Sequence, residues 1–248
     1  MRLKDRIAIV TGAASGFGKG IAEAYAAEGA KVVVADINEA GAKAVAQAIG
    51  GVAVGGDIST EAGNQAAVQA ALDAFGGLDI VVNNAGWTFR NKPTLETTEA
   101  EFDKVFAINV KSVYWMARCA VPVLQRQGRG GSIINISSTA GLRPRPGLTW
   151  YNATKGAVNI ATHCLAQEYA KDNIRVNAIC PVLGLTGLTA EFMGVENTPE
   201  NATRFLATIP LGRMSTPADI ANACVWLADP ASSFITGVLL PVDGGRCA

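Results

Sequence analysis

Ser138, Tyr151 and Lys155 are the residues whose types and spacing can do chemistry. Ser138 ends the run Ser132-Ile133-Ile134-Asn135-Ile136-Ser137, read as a strand. After a Gly/Pro-rich loop, Trp150-Tyr151-Asn152-Ala153-Thr154-Lys155 opens a long Ala-rich helix. Tyr151 and Lys155 stand four apart, so on a helix they share one face. A phenol is a poor base at neutral pH, with an ordinary pKa of about 10. A nearby ammonium favours the phenolate and is expected to lower that value. The tyrosine can then exchange a proton with a substrate hydroxyl. The serine can hydrogen-bond the substrate oxygen as charge develops there. Tyr-x-x-x-Lys by itself is a common helical spacing; its weight comes from what lies upstream.

Upstream, Ile7-Ala8-Ile9-Val10 is a short continuous apolar run, as in a strand buried on both faces. Thr11-Gly12-Ala13-Ala14-Ser15-Gly16-Phe17-Gly18 follows, then a helical pattern over 19–28 and a second buried strand over 31–35. This is a βαβ unit. Its glycines let the backbone approach a pyrophosphate at a helix N-terminus, where free N–H groups favour an anion. The spacing is Gly-x-x-x-Gly-x-Gly. Asp36 closes the second strand, eighteen residues after Gly18, where a carboxylate can accept from both ribose hydroxyls of an adenosine. The same carboxylate repels a 2′-phosphate, and no arginine stands at Ser15, Ile37 or Asn38 to receive one. The expected cofactor is therefore NAD.

The remaining elements alternate in the same way. Helices are expected over 39–49, 60–75, 98–127 and 217–227, and strands over 51–56, 79–82, 175–179 and 237–241. Alternation throughout implies one parallel sheet with helices on both faces. The fourth strand ends in Asn83-Asn84-Ala85-Gly86, which suits a rim where a ligand meets the backbone. Asn109 sits in the middle of the longest helical pattern, where asparagine is unfavourable, and invites a bound water or a distorted turn. Residues 183–213 are irregular and carry Leu185, Leu188, Phe192, Met193, Phe205 and Leu206, the composition of a lid over an apolar substrate.

Composition excludes other classes. Lys plus Arg equals Asp plus Glu, 21 each, so no global charge points to nucleic acid or a membrane surface. No apolar run reaches membrane-spanning length. The N-terminal apolar run is too short for a secretory signal, so a cytoplasmic protein is expected. Five scattered cysteines without Cys-x-x-Cys read as thiols in a reducing compartment. The sole histidine, His163, lies mid-helix; neither a metal site nor a Ser-His-Asp triad is expected.

Together these residues resemble the short-chain dehydrogenase/reductase family, in its branch of about 250 residues. The likeness runs over nearly the whole chain: Thr11-Gly12…Gly16-Phe17-Gly18, Asp57, Asn83-Asn84-Ala85-Gly86, Asn109, Ser138, Tyr151-x-x-x-Lys155, Pro181 with Thr186, and Val242-Asp243-Gly244-Gly245. It implies a single Rossmann-type, doubly wound domain over 1–248, and a set of roles. Gly12, Gly16 and Gly18, with Ser15 and Phe17 between them, would cradle the pyrophosphate. Asp36 with Ile37 would hold the adenosine ribose, and Asp57 with Ile58 the adenine edge. Asn83, Ala85 and Gly86 would line the cofactor, with Pro181, Val182 and Thr186 near the nicotinamide. Lys155 would also hold the nicotinamide ribose, and Asn109 would anchor a water relaying protons from it. Tyr151 would be the acid/base and Ser138 the oxygen-binding donor. One departure is Val182 where the family usually has glycine after Pro181; here a glycine stands at 184.

The expected function is an NAD-dependent oxidoreductase acting on a secondary alcohol or its ketone. The alternatives are an NADP-dependent 3-oxoacyl reductase, a lyase or epimerase on a related fold, and a non-catalytic dinucleotide sensor. An intact Ser-Tyr-Lys-Asn set argues against the sensor. Arg143 and Arg145 lie among prolines in the loop that borders the family's substrate cleft, and Arg90 follows Trp87 and Phe89. Guanidinium groups recognise carboxylate, sulfonate or phosphate, so an anionic substrate is one expectation; Trp150 and the apolar lid suit a neutral alcohol equally. Ala153, Ala157, Ile160, Ala161 and Cys164 form a second apolar side on the catalytic helix, and the family is commonly tetrameric; a homotetramer is expected.

Overall fold

The computed structural model describes residues 1–184, 186–187, 189–194 and 198–248. Among these, seven parallel strands form one sheet in the order β3-β2-β1-β4-β5-β6-β7. The strands are β1 (Ile7–Thr11), β2 (Lys31–Asp36), β3 (Val52–Gly55), β4 (Ile80–Asn83), β5 (Gly131–Ile136), β6 (Ile174–Pro181) and β7 (Leu239–Val242). Every pairing is parallel, from Val33↔Val52 at one side to Pro181↔Val242 at the other. The expected doubly wound sheet is what the chain forms.

Helices cover both faces. On one, α1 (Gly16–Ala27), α2 (Glu39–Ile49) and α9 (Pro217–Ala228) bury Ile21, Val45 and Ile220 against Ala8, Val10 and Ile134. On the other, α3 (Glu61–Phe75), α5 (Ser112–Gln127) and α6 (Thr149–Tyr169) bury Val68, Met116 and Ala166 against Ile9, Val81 and Ile133. Burial of both faces is why the strands read as unbroken apolar runs instead of alternating ones.

Local signals place the helix ends. Thr60 caps α3 by accepting from Gly63 N, and Gly76 closes it in the left-handed region. Thr98 and Glu101 form a reciprocal capping box on α4 (Glu99–Phe106). Two elements depart from expectation by more than a residue or two. Helix α1 starts at Gly16 rather than 19, so two of the turn glycines, Gly16 and Gly18, lie inside its first turn. The long helix expected over 98–127 is α4 and α5 joined by a π-helical turn, Ala107–Lys111, with Asn109 buried in it. Such turns widen the backbone spiral and often mark functional positions.

Strand order reverses between β1 and β4, and a crevice opens at the carboxyl ends of strands there. The segment expected as a lid contributes two short helices beside it, α7 (Thr189–Met193) and α8 (Pro199–Leu206). Leu185 and Leu188 lie outside the described residues.

Candidate active site

A cleft of about 660 Å³ occupies that crevice. The β1–α1 turn contributes Gly12, Ser15, Gly16 and Phe17; the ends of β2 and β3 contribute Asp36, Ile37, Asp57 and Ile58. Ala85 and Gly86 follow β4, Ser138 follows β5, and Tyr151 and Lys155 face it from α6. Pro181, Val182 and Thr186 complete the predicted set beyond β6. Residues spread over 175 positions of the chain thus meet in one space.

The turn is shaped for a backbone-contacting ligand. Gly12 has φ +63°, and a Cβ there would lie 2.7 Å from Ala85 Cα. Ser15 holds the N-cap of α1 with no side-chain cap bond, so the first-turn N–H groups open onto the cleft. Asp36 is fixed at the rim: Ala14 N donates to Oδ2 at 2.9 Å and Asn38 N to Oδ1 at 2.8 Å. Asp57 is held likewise, accepting from Ser59 N at 2.8 Å. Anion-seeking N–H groups and two pinned carboxylates at the strand ends fit a dinucleotide's phosphates and adenosine.

Four predicted residues do not line the cleft. Gly18 packs inside: a Cβ there would collide with the Gly12 carbonyl and the Asn84 amide, so it permits the turn without facing the ligand. Asn83 is buried and donates to Asn135 Oδ1 at 2.8 Å; the amide at the rim is its neighbour Asn84. Strand alternation turns adjacent side chains to opposite faces, and sequence cannot choose between two consecutive asparagines. Asn109 sits behind the wall. Its Oδ1 accepts from Trp87 N at 2.8 Å, and its Nδ2 donates to Trp87 O and to Thr154 Oγ1. Arg90, expected near the mouth, instead donates to the Gly194 carbonyl at 3.1 Å.

Behind Tyr151 and Lys155 lies a polar frame that sequence reasoning missed. Asn83 donates to Asn135, and Asn135 donates to Thr162 Oγ1 at 2.9 Å, tying β4 and β5 to α6. Ser137 Oγ donates to Asn159 Oδ1 at 2.6 Å, and Asn159 donates to the Gly141 carbonyl. These bonds set the rotation and height of α6 against β5. The available signal was polar Asn135 and Ser137 in an apolar strand.

The electrostatics correct one expectation. Tyr151 is buried, and burial pushes its phenol up to about 12; the Ser138 hydroxyl and the Arg145 guanidinium pull it down. Burial also pushes Lys155 down to about 8, and its Nζ donates to the Ile136 carbonyl at 2.9 Å. Lys155 Nζ lies 5.7 Å from the Tyr151 ring centroid. In the free chain desolvation therefore outweighs the lowering influences on the phenol, among them the Arg145 guanidinium. Val182 is buried on the wall, and two residues on Gly184 leaves room for Phe17 and Ser215, which a Cβ there would strike.

Comparison with known proteins agrees with this architecture. A family model described as enoyl-(acyl carrier protein) reductase matches residues 12–246. A 4-formylbenzenesulfonate dehydrogenase of Comamonas testosteroni is 52% identical over 254 residues, covering 99% of each chain. A sorbitol dehydrogenase of Cereibacter sphaeroides is 38% identical, again over 99% of both. The crystal structure of a 3-ketoacyl-(acyl-carrier-protein) reductase from Brucella melitensis, complexed with NADH, superposes with a TM-score of 0.94 at 45% identity, covering 99% of this chain and 100% of that one. With its parallel sheet, its glycine turn at the switch point and matches along almost its full length, the chain belongs to the short-chain dehydrogenase/reductase family and is an oxidoreductase of that kind.

Proposed function

We propose that this protein is an NAD-dependent oxidoreductase that interconverts a secondary alcohol and its carbonyl form, with Tyr151 as the acid/base. The observation that carries the reading is one cleft with Asp36 pinned at one end and buried Tyr151, Lys155 and Ser138 at the other. When bound, a nicotinamide dinucleotide supplies the hydride acceptor or donor. Gly12, Ser15, Gly16 and Phe17 would hold its pyrophosphate, Asp36 its adenosine ribose, and Asp57 and Ile58 its adenine. Ala85, Gly86, Pro181, Val182 and Thr186 would hold the nicotinamide half, with Lys155 on the second ribose.

Tyr151 gives a proton to the substrate oxygen in reduction and takes it back in oxidation. Ser138 Oγ accepts from Ala140 N at 3.0 Å, which orients the hydroxyl to donate to the same oxygen. Lys155 passes protons to and from the tyrosine. The Asn109 side chain is spent on Trp87 and Thr154, so a relay water anchored at this position meets its main chain in the π turn. The segment over 183–213, with Phe192 and Phe205 on the cleft wall, acts as the lid.

Asp36 selects NAD by repelling a 2′-phosphate, and the neighbour crystallised with NADH supports a nicotinamide dinucleotide. The likeness to that 3-ketoacyl-(acyl-carrier-protein) reductase also favours a second reading, a 3-oxoacyl reductase. The relatives' names span a ring aldehyde bearing a sulfonate, a polyol and a ketoacyl group, so the cleft walls must decide the substrate. We assign the protein to the cytoplasm, in keeping with five free thiols, and to a homotetramer that covers exposed Ile160 and Cys164 on α6. Light scattering tests the assembly.

The test of function is a panel of secondary alcohols offered with NAD and with NADP, read as absorbance of the reduced cofactor. Turnover with NAD on at least one alcohol is expected, at one NADH per ketone formed. Preference for NADP with 3-oxoacyl substrates would install the second reading. Dinucleotide binding without turnover on any substrate would leave a sensor.

A further inference from the structure

Away from Asp36 and Asp57, the charged residues on the cleft wall have one sign. Lys104, Arg143, Arg145 and Arg246 line it there, and among the described residues no carboxylate does. Arg145 is the most firmly held. Pro144 and Pro146 restrict its backbone, and Asn152 Nδ2 donates to its carbonyl at 2.9 Å. Its guanidinium donates to the Phe192 carbonyl at 2.6 Å and lies 5.1 Å from the Phe205 ring centroid.

Neither of those partners is an anion. A guanidinium carries five N–H donors, and hydrogen bonding within the described chain engages one. No ion pair among the described residues includes Arg145, Arg143 or Arg246. Burial disfavours the Arg145 charge, and neighbouring Arg246 disfavours it further. The acid of the C-terminal tail, Asp243, is taken up by the N–H groups of Gly245 and Cys247 at 2.9 and 2.8 Å. Arg143 donates to the Arg246 carbonyl and so ties that tail to the 143–146 loop.

The position matters as much as the charge. The Phe192 ring, whose own carbonyl holds Arg145, packs edge-on against Tyr151 at 5.0 Å between centroids. The guanidinium is thus one aromatic residue away from the acid/base. Trp87, Phe192 and Phe205 supply flat apolar wall around it.

We propose that Arg145, backed by Arg143 and Arg246, is a subsite for a carboxylate or sulfonate on the substrate, remote from its reacting carbon, with the aromatic wall taking the apolar body between. Paired N–H···O bonds from a planar fork serve either anion. The orientation toward Tyr151 rests on the oxidoreductase reading above; the anion site itself does not.

Binding therefore tests it without turnover. Benzoate, benzenesulfonate and benzamide share a ring and differ in charge, and calorimetric titration into the NADH-loaded protein gives an affinity ratio of each acid to the amide. Wild type is expected to prefer at least one acid, and Arg145→Gln to lower that ratio by about 10- to 100-fold, the worth of a hydrogen bond to a charged group. Arg145→Lys should restore part of it. The better acid of the two identifies carboxylate or sulfonate. A wild type that binds benzamide as well as both acids overturns the proposal. So does a ratio unchanged in Arg145→Gln that still melts and binds NADH like wild type. Should that variant not fold, Arg246→Gln is read instead: a lowered ratio supports the cluster and an unchanged one removes it. Anion binding with no turnover on any alcohol would sink the oxidoreductase reading and leave the subsite standing.

Discussion

At the β2–β3 end of the cleft, ligand-facing groups are held by main chain close by in sequence; at the α7–α8 end, they are held by segments far apart in sequence. Asp36 is pinned by two backbone N–H groups within two dozen residues of sequence, and the turn beside it is shaped by glycines. Arg145, by contrast, is held through Asn152, Phe192 and Phe205, and its neighbour Arg246 arrives from the C-terminal tail. On the function proposed above, the first end would take the dinucleotide's adenosine and phosphates, for which local backbone geometry suffices. The second must fit one substrate, and its wall is assembled from separate segments. Tyr151, Ser138 and Lys155 stand where the two meet.

The sharpest cut falls at that junction. Tyr151→Phe removes the acid/base while keeping the ring that packs on Phe192, so turnover should drop about 10²- to 10⁴-fold with NADH binding retained. Stopped-flow turnover beside NADH fluorescence titration separates the two; near-normal turnover would falsify the mechanism. Next is the backbone-built end. Gly18→Val drives atoms into the Gly12 carbonyl, and overpacking of this kind costs about 1–3 kcal/mol. Thermal unfolding should shift down and NADH binding should be lost; full binding would mean the turn is not built by close backbone approach.

Smaller effects come from single side chains. Asp36→Ala should lower the NAD:NADP preference in kcat/KM by about tenfold or more, on the scale of one charged hydrogen bond. An unchanged preference moves selectivity away from the β2 rim. Least in size is a pH effect. Burial holds Lys155 down to about 8, so it is an ammonium below that pH and neutral above it. NADH affinity should therefore begin to fall several-fold as pH rises through about 8, and Lys155→Met should flatten the curve. A wild-type curve flat from pH 7 to 9 removes the lysine from cofactor binding.

Legibility followed the same division. The strands, the glycine turn, Asp36 and the Tyr-x-x-x-Lys pair were readable because each is a local pattern: a run, a spacing, a residue at a strand end. Asn83 was placed on the wrong side of the rim, since two adjacent asparagines look alike until the pleat assigns their faces. Gly18 was read as cradling the pyrophosphate and Asn109 as anchoring a relay water; Gly18 packs against the Gly12 carbonyl, and the Asn109 side chain is bonded to Trp87 behind the cleft wall. Arg90 and Arg143 looked alike in sequence, and only Arg143 reaches the cleft.

By itself the sequence determined the sheet, most of the helices and the family, because hydrophobic period, glycine placement and residue type act over short distances. Tertiary structure alone decided how strongly Tyr151 and Lys155 are desolvated, and that the Arg145 guanidinium comes close enough to draw the phenol down. It also brought Arg246 to the wall and set α6 on the frame of Asn83, Asn135 and Thr162. Burial and the meeting of distant segments depend on the packed chain as a whole, and neither is written in any one stretch of it.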